Sequence, residues 1–212
     1  MRGSQSMESQ KPPGISPGRL LALADGIFAI AMTLLAFEIR LPAGIHGADE
    51  LVAAVAHLGP KLGSFALSFI TLGFAWIGHH NQYAFIRRVD RQFLWINIFF
   101  FLPIVLVPFC AAVLGELPFE WLAVALYAGN LTVAALLLWM HWAYATGRGR
   151  LTDGELAREV VAATRRRIVA APVAYAGAVV AAAVHPVLGL AICVLVPVSF
   201  MLPGRVDRAL RG

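Results

Sequence analysis

Six stretches of this chain are apolar for about twenty residues each, and that repetition constrains the fold more than any motif does. A hydrocarbon layer about 30 Å thick is crossed by roughly 20 helical residues, and inside it every backbone N–H and C=O must find its partner within the helix. The runs fall at 20–41, 61–86, 93–114, 121–146, 168–184 and 186–202. The last two are short and meet at His185-Pro186, so they are expected to fold as a helical hairpin. Turn or charge signals part the others: Pro42-Ala-Gly44, Arg87-Arg88-Val-Asp-Arg91, Gly115-Glu-Leu-Pro118 and Gly147-Arg-Gly-Arg150. Apolar residues make up 59% of the 212 positions and charged residues 14%, with a mean hydropathy of +0.75, which no ordinary soluble domain matches. The expected fold class is an all-α integral membrane bundle of six helices.

Residues 1–18 read as an expression leader, Met1-Arg-Gly-Ser-Gln-Ser6, followed by a flexible N-terminus without the apolar core of a secretory signal. Residues 19–204 form one transmembrane domain, and 205–212 a basic tail. Between Arg150 and Arg167, Leu151, Leu156, Val160, Val161 and Ile168 suit the apolar face of a surface helix that continues into the fifth span, with Thr152 or Asp153 as its cap. Cys110 and Cys193 lie inside spans and read as small buried side chains rather than a disulfide. The first span's motif does not recur later in the chain.

Arginine placement gives the orientation, because positive charge near span ends stays in the cytoplasm. Lys11 and Arg19 precede the first span; Arg87, Arg88 and Arg91 follow the second; Arg148, Arg150, Arg158, Arg165, Arg166 and Arg167 follow the fourth; Arg205, Arg208 and Arg211 end the chain. All fall on one side. The opposite loops hold only Arg40 and Lys61, against Asp49, Glu50, Glu116 and Glu120. A multi-pass protein with both termini cytoplasmic is expected, and its net charge of +5 reflects topology and contact with anionic lipid, not nucleic-acid binding.

Ionisable groups within the first span are functional candidates by default. Arg19 and Asp25 lie six residues apart, about 9 Å along a helix, and are expected in one polar cluster at the cytoplasmic interface. Ile30, Leu34 and Phe37 share a helix face with Thr33 beside them. Such a stripe either packs, faces lipid, or lines a pore where several copies meet. Trp76, His79, His80 and Asn97 on the second and third spans can hydrogen-bond with Asp25 and Arg19, so the group reads as a scaffold for the first helix. His79 and His80 point about 100° apart on a helix, which argues against a metal site, and His141 and His185 are expected at opposite ends, too far to help. Glu38 either forms an outer acidic ring that concentrates cations or pairs with Arg40 or Lys61. A secondary transporter would call for inverted repeats with broken helices, and a membrane enzyme for a nucleophile, carboxylate pair or metal cluster; neither pattern stands out.

Arg19-x-x-x-Leu23-Ala24-Asp25, with Gly26-Ile27-Phe28-Ala29-Ile30, Thr33-Leu34-Leu35, Trp76-Ile-Gly-His79-His80 and Asn97, resembles the transmembrane protein 175 family of lysosomal and prokaryotic potassium channels, whose signature reads Arg, three variable residues, then Phe-Ser-Asp. Leu23 and Ala24 depart from Phe-Ser, which removes the serine hydroxyl. The resemblance implies a potassium-favouring cation channel, not an enzyme, with no cofactor and K+ as the permeant ion. It further implies a six-helix subunit of a homotetramer in a bacterial inner membrane. The family's first helix lines the pore, its constricting isoleucine maps onto Ile30, and the layers above it map onto Thr33 or Leu34 and then Phe37. No Thr-Val-Gly-Tyr-Gly filter occurs in the chain, so selection is expected at a narrow, mainly apolar constriction. A secondary transporter and a proton-permeable leak are the alternatives.

Overall fold

The computed structural model describes residues 16–147, 150–152 and 158–201, with positions 158–160, 163 and 201 described by backbone alone. Helix is the only regular structure among them, as backbone desolvation in hydrocarbon requires. The helices are α1 (Pro17–Phe37), α2 (Ala48–His57), α3 (Gly59–Tyr83), α4 (Arg91–Glu116), α5 (Trp121–Thr146), α6 (Arg158–Val184) and α7 (Pro186–Met201). Five are long and apolar enough to cross a membrane, and α7 is a shorter apolar helix. Six of the seven match the six apolar runs. The expected leader lies almost wholly, and the expected basic tail entirely, outside the described residues.

In three places the structure corrects or sharpens the sequence reading. The first span ends at Phe37, where Glu38 and Ile39 donate to Leu35 and Ala36 in tightened i→i+3 bonds, because Pro42 and Gly44 at φ +85° turn the chain away. Helix α2 was not expected: ten residues are too few to cross a membrane, yet Asp49 and Glu50 in its first turn and His57 in its last favour it through the helix dipole. The stretch before the fifth span is helical from Arg158 onward, continuous with the span. Thr152 pairs with Ile86 in an isolated antiparallel bridge, and Asp153 lies outside the described residues.

Helix α4 is the centre. Over half of its most apolar window is buried (56%), against 28–33% for the other spans. It packs against α1, α3 and α5, while α6 packs on α5 and α7. Pro103 and Pro108 lie inside it and leave the carbonyls of Phe99 and Ile104 without their intrahelical donors; separately, Asn130 Nδ2 donates to Pro103 O at 2.9 Å and Ser64 Oγ donates to Ala111 O, tying α5 and α3 to the α4 backbone. At the arginine-rich end, Arg87 N donates to Leu151 O at 2.9 Å, which ties the α3–α4 link to the segment after α5. Cys110 and Cys193 are free and buried.

The α6–α7 hairpin closes by backbone contact. A Cβ on Gly189 would sit 2.7 Å from both Ala178 O and Ala182 Cβ, so only glycine permits the approach. Small residues serve this role between membrane helices because dispersion, not the hydrophobic effect, draws them together. Gly189→Leu is expected to cost about 1–3 kcal/mol through overpacking, read as lost thermal stability in detergent. Gly129→Ala, inside α5, adds a methyl that meets nothing within 4 Å and should hold or raise stability, by up to about 1 kcal/mol, because glycine is the poorer helix former.

Candidate functional site

Helix α1 carries two apolar faces, and the protomer uses one. Leu20, Ala24, Phe28, Ala31 and Leu35 follow helical spacing and are at most 4% exposed. Leu23, Ile30, Leu34 and Phe37 stand outside that face at 45%, 61%, 42% and 65% exposure. Thr33 is exposed beside them, and its hydroxyl donates back into the helix, with Ala29 O at 3.0 Å and Ile30 O at 2.8 Å as acceptors. Gly26 and Ala29 on the same side are also exposed. Ala24, where the family signature has serine, is fully buried.

Two contacts with neighbouring helices, one buried and one exposed, fix α1. Phe28 enters a ring cluster, with its centroid 6.1 Å from Phe100 and 6.4 Å from His79. His79 stacks on Phe100 at 5.3 Å with planes 8° apart. One turn away, Trp76 Nε1 donates to Asp25 Oδ1 at 2.8 Å. His80 lies over Trp76 with centroids 5.5 Å apart and is otherwise exposed.

The expected polar group is therefore split. Trp76 reaches Asp25, but His79 Nε2 donates to Asn97 Oδ1 at 3.1 Å, and Tyr83 OH donates to the same oxygen at 3.1 Å. Asn97 Nδ2 donates to Phe93 O at 2.8 Å, so that amide joins α3 to α4 without touching α1. Arg19 and Asp25 do not pair: a six-residue separation turns them about 120° apart around the helix, and both are exposed.

His141 and His185 do lie at opposite ends, but His141 is not too far to join the His79 group. Helices α3 and α5 run in the same direction, so His79 and His141 lie at one depth, with ring centroids 5.2 Å apart. His141 Nδ1 donates to Gln82 Oε1, and both residues are buried. Gln82, Tyr83, His141 and the Phe28 seat escaped the sequence reading; only the second periodic set on α1, Leu20 through Leu35, carries a readable signal. Among the described residues, no three metal-ligating side chains converge.

At the arginine-poor end, the partners proposed for Glu38 are committed elsewhere. Lys61 pairs with Glu116, and Arg40 Nε donates to Phe37 O at 3.0 Å. Glu38 itself is exposed at the end of α1.

Asn97→Leu strips the shared acceptor from two buried donors and is expected to cost about 1–3 kcal/mol. Trp76→Phe removes an exposed interhelical bond and should cost about 0.6 kcal/mol. Denaturant unfolding in micelles checks the order; a larger loss from Trp76→Phe would mean that the α1 contact outweighs the α3–α4 amide.

The family model described as endosomal/lysosomal potassium channel TMEM175 matches residues 19–108, the part of the chain that holds α1, the α3 polar residues and Asn97. A potassium channel of Streptomyces collinus is 32% identical over 162 residues, 74% of this chain and 78% of the relative. A potassium channel of Chamaesiphon minutus is 29% identical over 199 residues, 91% of this chain and 97% of that one. The crystal structure of a lysosomal potassium-selective channel TMEM175 homolog from Chamaesiphon minutus superposes with a TM-score of 0.78 at 28% identity, covering 88% of this chain and 96% of the other. In sequence and in fold, this chain belongs to the TMEM175 family.

Proposed function

We propose that this protein is a potassium-selective cation channel of the cell membrane, in which α1 helices from several copies, four by analogy with the family, surround the conduction axis. The unpartnered stripe on α1 carries the reading. Ile30 and Phe37 are among the most exposed large side chains of a helix whose opposite face is closely packed. Lipid contact would also leave such a stripe exposed. Thr33 beside it and Glu38 at its end favour an aqueous axis, since a lipid-facing surface gains nothing from a hydroxyl and a carboxylate there. One α1 cannot enclose an axis, so the site is complete only in an oligomer.

In this arrangement the arginine-rich end is cytoplasmic, both termini lie there, and Glu38 rings the outer mouth. Ile30 side chains converging on the axis exclude water when close together and admit a partly dehydrated ion when they part. Potassium holds its hydration shell less tightly than sodium, so an apolar throat favours it without a carbonyl filter. With the Thr33 proton bound to backbone carbonyls, the hydroxyl lone pairs are left to face the passing cation. Transport is passive and calls for no cofactor or coupled ion.

Reconstitution in liposomes tests the reading. Potassium flux should run down its gradient with no stoichiometric movement of sodium or protons, and Ile30→Ala should widen the throat, raising flux while eroding potassium-over-sodium discrimination. Unaltered flux and selectivity in Ile30→Ala would remove α1 from the pathway, and a protein that conducts as a strict monomer by light scattering would remove the oligomeric axis. Glu38→Gln should lower single-channel conductance in dilute salt, with the deficit disappearing near 1 M, where the screening length falls to about 3 Å. Equal conductance at low salt would exclude the acidic ring.

A further inference from the structure

An apolar crevice of about 290 Å³ opens at the arginine-poor end between α3, α7 and the turn ahead of α5. Its walls include Gly63, Leu67, Leu114, Phe119, Leu190 and Val194. Gly63 and Leu67 lie one and two turns into α3, and Leu190 and Val194 one and two turns into α7. The floor is therefore about 12 Å below the helix ends, inside one leaflet of a hydrocarbon core about 30 Å thick. Ser64 supplies the one side-chain hydroxyl on the wall, and that group already donates to Ala111 O. Pro60 and Pro118 at the rim have no N–H. A polar guest would find almost nothing to bond with.

We propose that this crevice is a binding site for one acyl chain of a membrane phospholipid. Depth selects the occupant: at that level of the bilayer the molecules on hand are hydrocarbon tails, and an empty groove would forfeit the dispersion contacts of its whole lining. The crevice has room for a segment of one acyl chain. Gly63 helps keep the groove open, since a Cβ there would meet nothing within 4 Å. Among the described residues α7 packs on α3, α5 and α6 and not on α1, so the α7 wall of the crevice is separated from α1 by α3. That this side meets lipid rather than a neighbouring copy rests on the reading of α1 as the axial helix.

The full-length protein, reconstituted in phosphatidylcholine vesicles doped with a phosphatidylcholine that carries a diazirine in mid-chain, tests the site by photolabelling and peptide mapping. Adducts should concentrate on 60–67 and 190–194, above the level at Val180 and Val184, which project from α6 at 70% and 78% exposure and report ordinary lipid contact. Gly63→Leu, which fills the groove, should abolish the crevice adducts and leave those on α6. Crevice labelling no denser than that of α6, or unaffected by Gly63→Leu in a protein with wild-type elution, would overturn the proposal. So would a disulfide between copies through Leu190→Cys, because a second chain would then occupy the groove. Potassium flux read from the same vesicles separates the two readings: flux without crevice labelling refutes the lipid site alone, and labelling without flux supports it while refuting the channel.

Discussion

Helix α1 is greasy around most of its circumference, and in hydrocarbon that property cannot orient it. Lipid tails are as apolar as leucine, so rotating the helix exchanges one set of apolar contacts for another at little cost. Its azimuth comes from shape and polarity, namely Phe28 seated among Phe100 and His79, and Asp25 bonded to Trp76 three residues earlier. With those two contacts made, the direction of the Ile30 stripe follows.

The seat is itself supported by an inner layer of hydrogen bonds among α3, α4 and α5. Asn97 holds His79 and Tyr83 through one oxygen, and Gln82 holds His141, so the buried polar side chains near the arginine-rich end form pairs between α3 and its neighbours. Toward the middle and the other end, Ser68 bonds to Tyr127 and Ser64 to Ala111. A single face of α3 thus carries polar side chains from Ser64 to Gln82, buried against α4 and α5. Such bonds contribute about 0.6 kcal/mol apiece on average in a membrane. Their greater effect here is on register, since sliding α3 by one turn would break all of them together.

The spans and the side on which arginines gather were legible in the sequence because both depend on one-dimensional quantities: run length, hydropathy and charge position. What escaped depends on azimuth and partnership. His79 and His141 are sixty-two positions apart and meet only because two helices run parallel at matched depth. Trp76 and His79 differ by three residues, yet one bonds to α1 and the other to α4. Glu38 had two plausible cations nearby, and the fold assigns Lys61 to Glu116 instead. Helix α2 escaped for a different reason: at ten residues it is too short to stand out as a membrane-length apolar run, although its terminal charges suit a helix.

That short helix has one further consequence. Leu58 is at once the residue that ends α2 and the residue that begins α3, so no linker separates them. A load applied to α2 from outside, such as a bound antibody fragment, has no slack chain in which to dissipate. It reaches the first turn of α3 directly, and the last turns of that helix hold Trp76.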